Sequence, residues 1–406
     1  MNRFFLALAL FLCSAGIFYF ILRGTYDADW AVREAKRIQG ICASELHPTF
    51  CYEKEIPKIV DHGRSMEEGF ALIKAVQEVD SSFIYCHIAA HGLAEREIAK
   101  DPSKWKEVAL RAPLEECSAG ALHGVFRMRF SGDSGEVSAE EVLNDLSTIC
   151  TSPDLRTVYM KNSCMHASGH MLMYQNNGSL PDAYTSCDLL SAKMGQGLPV
   201  GPCYNGAGMQ FFYLLEMADQ ILVEGKRPTS FDGGLALCSA FTGARFSTCI
   251  SEAVLGYHPQ KMSAPEISKA LLGCERIIDD AQGRYACIWR GFAVFGTRVM
   301  SEEMGVEEIC SYFKGEYADS CYSASITRSI ELDVNSARHS LSICVDAQKA
   351  GFGRSCYESF SRAIAVILGK ESANALALCE VIPTEYLDQC RLWVKQPPQG
   401  LIGRAR

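Results

Sequence analysis

No run of basic residues occurs anywhere in this chain. Lys and Arg total 39 against 48 acidic residues, for a formal net charge of −9. A surface built to neutralise phosphate needs clustered cations, so nucleic acid is excluded as a partner. The common catalytic signatures are also missing. There is no Gly-x-Ser-x-Gly elbow, no Gly-x4-Gly-Lys-Ser/Thr phosphate loop and no His-Glu-x-x-His pair. Cys-x-x-Cys is absent, and with it the Cys-x-x-Cys-His attachment of c-type haem. No residue is assigned a catalytic role.

Long apolar runs are scarce too, with one exception. Phe4 to Leu22 carries no charge and is flanked by Arg3 and Arg23. Nineteen residues at about 1.5 Å each are enough to cross a hydrocarbon layer of about 30 Å. A cleaved leader has a shorter apolar region and a small-x-small cleavage site. The bulky Ile17-Phe-Tyr-Phe20 stretch occupies that place, so an uncleaved transmembrane signal anchor is expected over 1–24. Leu10-Phe-Leu-Cys13 outlines a lipoprotein box, but Leu12 is too large for the position before the cysteine.

What the chain has in abundance is cysteine. Of 19, Cys13 lies in the apolar run, and the remaining 18 form an even set. Such density in an exported chain points to disulfides, and so to a periplasmic or extracellular bulk. From Cys238 onward the cysteines come in pairs: Cys238 and Cys249, Cys274 and Cys287, Cys310 and Cys321, Cys344 and Cys356, Cys379 and Cys390. Separations within pairs are 11, 13, 11, 12 and 11, and successive pairs recur every 34 to 36 residues. A period near 35 is that of a two-helix repeat. In Val306-Glu-Glu-Ile-Cys310 and Tyr317-Ala-Asp-Ser-Cys321, one helix ends at its cysteine and the next opens around its partner. Ser263 with Glu266 has capping-box spacing, with Pro265 inside the first turn. The expected fold is all-α: disulfide-stapled αα-hairpins stacked as a solenoid, with the N-terminal transmembrane helix.

The same pattern run backwards pairs Cys187 with Cys203, Cys150 with Cys164, and Cys42 with Cys51. Cys86 and Cys117 remain, both of second-helix type, and are paired with each other across neighbouring hairpins. Four regions follow: the anchor at 1–24, a histidine-containing helical half at 25–230, regular repeats at 231–395, and a loose Pro- and Gly-bearing tail at 396–406. Ser131-Gly-Asp-Ser-Gly135 reads as an exposed turn.

Five of the nine histidines follow second-helix cysteines in the N-terminal half: His87, His91, His123, His166 and His170. His87 with His91 and His166 with His170 are spaced four apart, which puts both imidazoles of a pair on one helical face. Imidazole is a common ligand for zinc, copper and iron, so these five are the candidate metal ligands. Position six after the cysteine holds His123, His170 and then Met209, and Met171 and Met173 could add thioethers that favour copper. His91 lies about 100° around its helix from that register, so the spacing does not require the first pair to converge with the rest. Glu115 and Glu116 are an acid/base pair in one reading and helix-start charges in the other. A structural role for the histidines is the competing view. In that reading the solenoid is a non-catalytic scaffold whose concave face holds a protein or glycan.

The segments Cys86-His87…His91, Cys117…His123-Gly124, Cys164-Met-His166…Gly169-His170 and Cys203-Tyr-Asn-Gly-Ala-Gly-Met209 resemble an uncharacterised family of exported bacterial cysteine-rich helical proteins. Its marks are CHxxxH-, CxxGxxHG- and CxHxxGH-like motifs. The resemblance spans roughly residues 80 to 215, with Ala167-Ser168 in place of Gly-x, and implies no activity. The paired hairpins are also similar to tetratricopeptide-related repeats carrying a disulfide in each helix pair.

Overall fold

The computed structural model describes residues 30–45, 47–83, 86–130, 137–195, 199–213, 217–257, 263–277, 285, 287–291, 299 and 304–398. Among these every regular element is helical, and no strand occurs. The helices start where local chemistry tells them to. Ser65 and Glu68 form a full capping box ahead of Met66–Val79, Ser138 caps Ala139–Cys150, and Glu266 closes back on the Ser263 backbone N–H at 2.8 Å.

Nine disulfides join the pairs read from the spacing, from Cys42–Cys51 to Cys379–Cys390. The bond between Cys86 and Cys117 spans 31 residues and ties neighbouring hairpins together. Within most hairpins the bridge links the end of a first helix to the beginning of a second one. A pair of short helices buries little apolar surface by itself. Closing a loop of a dozen residues stabilises the pair by about 3 kcal/mol in the chain-entropy model. Eighteen bonded cysteines point to an oxidising, extracytoplasmic environment.

The second helices form an inner layer. In chain order they include α1 (His87–Lys100), α2 (Gly120–Phe130), α3 (Val158–Gln175), α4 (Gly201–Phe212), α5 (Gly243–Gly256), α6 (Glu316–Leu332), α7 (Gly353–Leu368) and α8 (Thr384–Lys395). Helices α1 to α5 lie side by side in order, as do α6 to α8, while first helices such as Ala139–Cys150 and Leu180–Met194 pack outside them. The layer then curls on itself. Helix α3 touches α7, α6 touches the turn at Cys117–Ala119, and Tyr159 of α3 joins the apolar core of the C-terminal repeats. Helices flanked on both sides need small residues on more than one face. Helix α6 accordingly buries Ser323, Ser325, Thr327 and Ser329. Two of these satisfy themselves within the helix, Ser325 donating to the Cys321 carbonyl and Thr327 to that of Ser323.

One part of the expected fold is corrected. Among the described residues no helix is long and apolar enough to cross a membrane, so those residues form an all-α stapled stack in which the expected transmembrane helix has no counterpart. The run expected to form the anchor, the turn at Ser131–Gly135 and the tail from residue 399 lie outside the described residues.

The terminal staple gives a direct test. Replacing Cys379 and Cys390 together by Ser should cost about 3 kcal/mol of stability, read as a lowered denaturation midpoint of the C-terminal hairpin. An unchanged midpoint would mean that the bridge is dispensable.

Candidate metal centre

Four glycines decide how closely the inner helices approach. A Cβ built on Gly120 would lie 2.4 Å from the His87 carbonyl oxygen, and one on Gly124 would lie 2.5 Å from that of His91. On the next pair, Gly206 sits against the His166 carbonyl and Gly169 against that of Cys203, and a Cβ on either would lie only 2.0 Å from the oxygen. No side chain fits at such separations, so α1 rests directly on α2 and α3 on α4. The histidine-bearing turns are the ones that these glycines seat.

The result is a ladder of five rings. His87 and His91 place Nε2 atoms 3.0 Å apart, and His166 and His170 place theirs 3.1 Å apart. His123 stands between the pairs, its ring centroid 4.8 Å from His87, 5.5 Å from His91, 5.5 Å from His166 and 4.7 Å from His170. Two groups of three have ring nitrogens within 4.8 Å of one another: His87, His91, His123 and His123, His166, His170. All five candidates therefore come together, including the first pair, which the register alone did not require. His47, His62 and His339 are exposed, and His258 lies outside the described residues.

Three of the four outer rings are held by partners behind them. The Nδ1–H of His87 donates to the Cys117 carbonyl at 3.0 Å. That carbonyl is aimed by a left-handed turn in which Cys117, Ser118 and Ala119 have φ of 48°, 51° and 58°. Left-handed backbone costs non-glycine residues roughly 1–2 kcal/mol each, and here the Cys86–Cys117 bridge and the packing of Gly120 hold it in place. His170 donates through Nδ1 to Gln210 Oε1 at 2.6 Å, and His166 bonds the Asn205 side chain. With Nδ1 donating, the Nε2 lone pairs of His87 and His170 point into the cluster. His91 Nδ1 and His123 Nε2 are buried without a hydrogen-bond partner.

Burial keeps these rings neutral. It lowers His87 to about 4, opposed by the Cys117 carbonyl, with repulsion from His170 and Arg328 adding to the drop. Burial likewise holds His91, His123 and His166 well below the usual imidazole range, helped by their like-charged neighbours. Neutral imidazoles present lone pairs at neutral pH, which is the form a metal takes.

Behind the ladder lies a polar interior. Asn205 donates at 2.5 Å to Glu252, which is 1 % exposed and pairs with Arg290 at 3.5 Å. Gly208 leaves room for the Glu252 side chain, since a Cβ there would come within 2.8 Å of its Cγ. Arg328 pairs with Glu331 at 2.7 Å and lies over the Trp289 ring. Asn205, Gln210, Glu252 and Arg328 escaped the sequence reading. Asn205 and Gln210 flank the glycines of the quoted Cys203 segment, and from that turn Gln210 reaches the site one residue beyond Met209. Met171 and Met173 are buried in the apolar core. Glu115 and Glu116 precede the Cys117 turn, where burial and then the Glu115 charge raise Glu116, and neither belongs to the histidine groups.

No family model, curated protein or solved structure matches the chain.

Two outcomes follow. Gly206→Ala must push the His166 carbonyl aside, so it should destabilise the protein by about 1–3 kcal/mol, measured by thermal melting; a neutral result would disprove the close seat. Glu252 is raised to about 7, chiefly by burial, against pull from Arg290. The folded state then holds a proton that the unfolded state has lost, so this contribution is full below about 4.5 and disappears as pH rises through about 7. Relative to Glu252→Gln, the parent should lose up to about 1.4 kcal/mol per pH unit across that window. A stability difference that stays flat with pH would refute the assignment.

Proposed function

We propose that this protein binds a transition-metal ion through the histidine ladder of its inner helices, in an oxidising extracytoplasmic space. The observation that carries this reading is the convergence of five imidazoles from three successive helices, α1, α2 and α3, with Nε2 atoms 3.0 and 3.1 Å apart in the outer pairs.

The alternative, a hydrogen-bonded packing network, accounts for less. His87 and His170 find acceptors behind them, and each pair shares one bond. That scheme leaves His123 Nε2 buried and unmatched, at about 1–3 kcal/mol. A network selected only for stability would be improved by apolar replacements at these positions. Coordination gives the inward lone pairs a partner. The backing bonds to Cys117 and Gln210 are the outer contacts that fix ring orientation in metal sites.

An all-imidazole set suits copper, zinc or iron, and the bridged cysteines leave no thiolate among the paired residues to compete for the ion. His87 and His123 are buried while His91, His166 and His170 are half-buried, so the ladder meets solvent along one side. That exposure supports exchange of metal, or an open coordination position, more than a sealed structural site.

Elemental analysis of the purified full-length chain should find stoichiometric metal. His87→Ala combined with His170→Ala should lose it while keeping the helical circular dichroism of the parent. A metal-free parent that also fails to take up copper or zinc in titration would overturn the proposal.

A further inference from the structure

Two of the nitrogen groups share one residue. His87, His91 and His123 form the first and His123, His166 and His170 the second, each with ring nitrogens within 4.8 Å of one another. An imidazole has two nitrogens on opposite sides of its ring, and both can coordinate once the ring has lost its N–H proton. The four outer histidines are arranged as two pairs, each presenting facing Nε2 atoms at 3.0 or 3.1 Å. The central ring lies between the pairs, 4.8 Å from His87 on one side and 4.7 Å from His170 on the other.

From this we infer that the ladder is a two-metal site. In it two divalent transition ions are each held by one outer pair and bridged by the imidazolate of His123. This rests on the metal-binding reading and extends it to the number of ions and the role of one residue.

Three features of the structure support the bridge. His123 Nε2 is buried without a hydrogen-bond partner, whereas in each outer pair at least one ring has a contact behind it that commits a nitrogen: His87 in the first, His166 and His170 in the second. Each pair thus has a backed terminal ligand, and His123 Nε2 remains uncommitted, as a bridging ring requires. Next, the Gly124 seat against the His91 carbonyl fixes the turn that immediately follows His123, so the ring is placed by backbone contact rather than by its own hydrogen bonds. Last, a carboxyl group lies within reach, Glu252, linked to His166 through Asn205, and nearby cations favour its ionised form, which would offset part of the charge of two divalent ions.

The chemistry balances simply. Neutral His123 gives its single N–H proton to solvent, two metal–nitrogen bonds form at its opposite edges, and no electron is transferred. The resulting imidazolate cancels one of the positive charges brought in.

Copper(II) is the probe. Full-length protein, stripped of metal and titrated with a copper(II) salt, should bind two ions per chain. Their paramagnetic resonance signal should integrate to far less than two spins, because an imidazolate bridge couples the pair antiferromagnetically. His123→Gln, with folding checked by thermal melting, should abolish the coupling and leave any retained copper fully visible. His91→Ala should cut the stoichiometry to one. One copper per chain in the parent, or two with full uncoupled intensity, would overturn the bridge and leave metal binding intact. No stoichiometric copper would remove both readings. Because the parent's stoichiometry and spin count decide the matter, a variant that misfolds does not rescue the proposal.

Discussion

Direct backbone contact between successive inner helices is the constraint from which the site derives. Gly120 and Gly124 on one helix and Gly206 on another lie against the carbonyls of His87, His91 and His166. At those separations any Cβ would force the helices apart, and the rings of His87 and His91, which now meet His123 at 4.8 and 5.5 Å, would lose contact with it. The glycines weaken each helix taken alone, by about 1 kcal/mol per position relative to alanine. That local cost is sensible only if the approach it permits has a use, and the uses visible here are the meeting of His87 and His91 with His123 and the placing of Asn205 and Gln210 behind His166 and His170.

The disulfides act at a different level. They do not bring the rings together, but they hold hairpins whose helices are too short to persist alone. One of them has a double role. Cys86–Cys117 departs from the pattern of the other eight by linking neighbouring hairpins, and it anchors the left-handed turn whose carbonyl orients His87. Covalent closure and unfavourable backbone geometry meet at the place where a ligand has to be aimed, which is where strained backbone tends to occur.

Around the ladder the interior is more polar than a solenoid core requires. Glu252 with Arg290 and Glu331 with Arg328 are ion pairs lodged among apolar helices, and buried pairs of this kind contribute little to stability. Arg328 reaches the histidines from the C-terminal repeats. The curl of the inner layer therefore sets the electrostatics of the site, and repeats without site histidines still shape it.

By itself the sequence determined the repeat and its staples, because a period near 35 and pair separations of 11 to 13 are properties of local chain geometry. It also marked the five histidines, since four-residue spacing on a helix is local too. Whether the first pair joined the second was beyond it. The register around α1 left His91 about 100° off, and only the packing of α1 on α2 through Gly120 and Gly124 turned that pair toward His123. Glu252 and Arg328 were invisible for a related reason: they approach from helices roughly 80 and 160 residues away from the ladder, with no period connecting them to it. Spacing records contacts within a hairpin and between adjacent hairpins. The return of a curled layer onto itself is a matter of accumulated rotation between repeats, and only the assembled tertiary structure decided it.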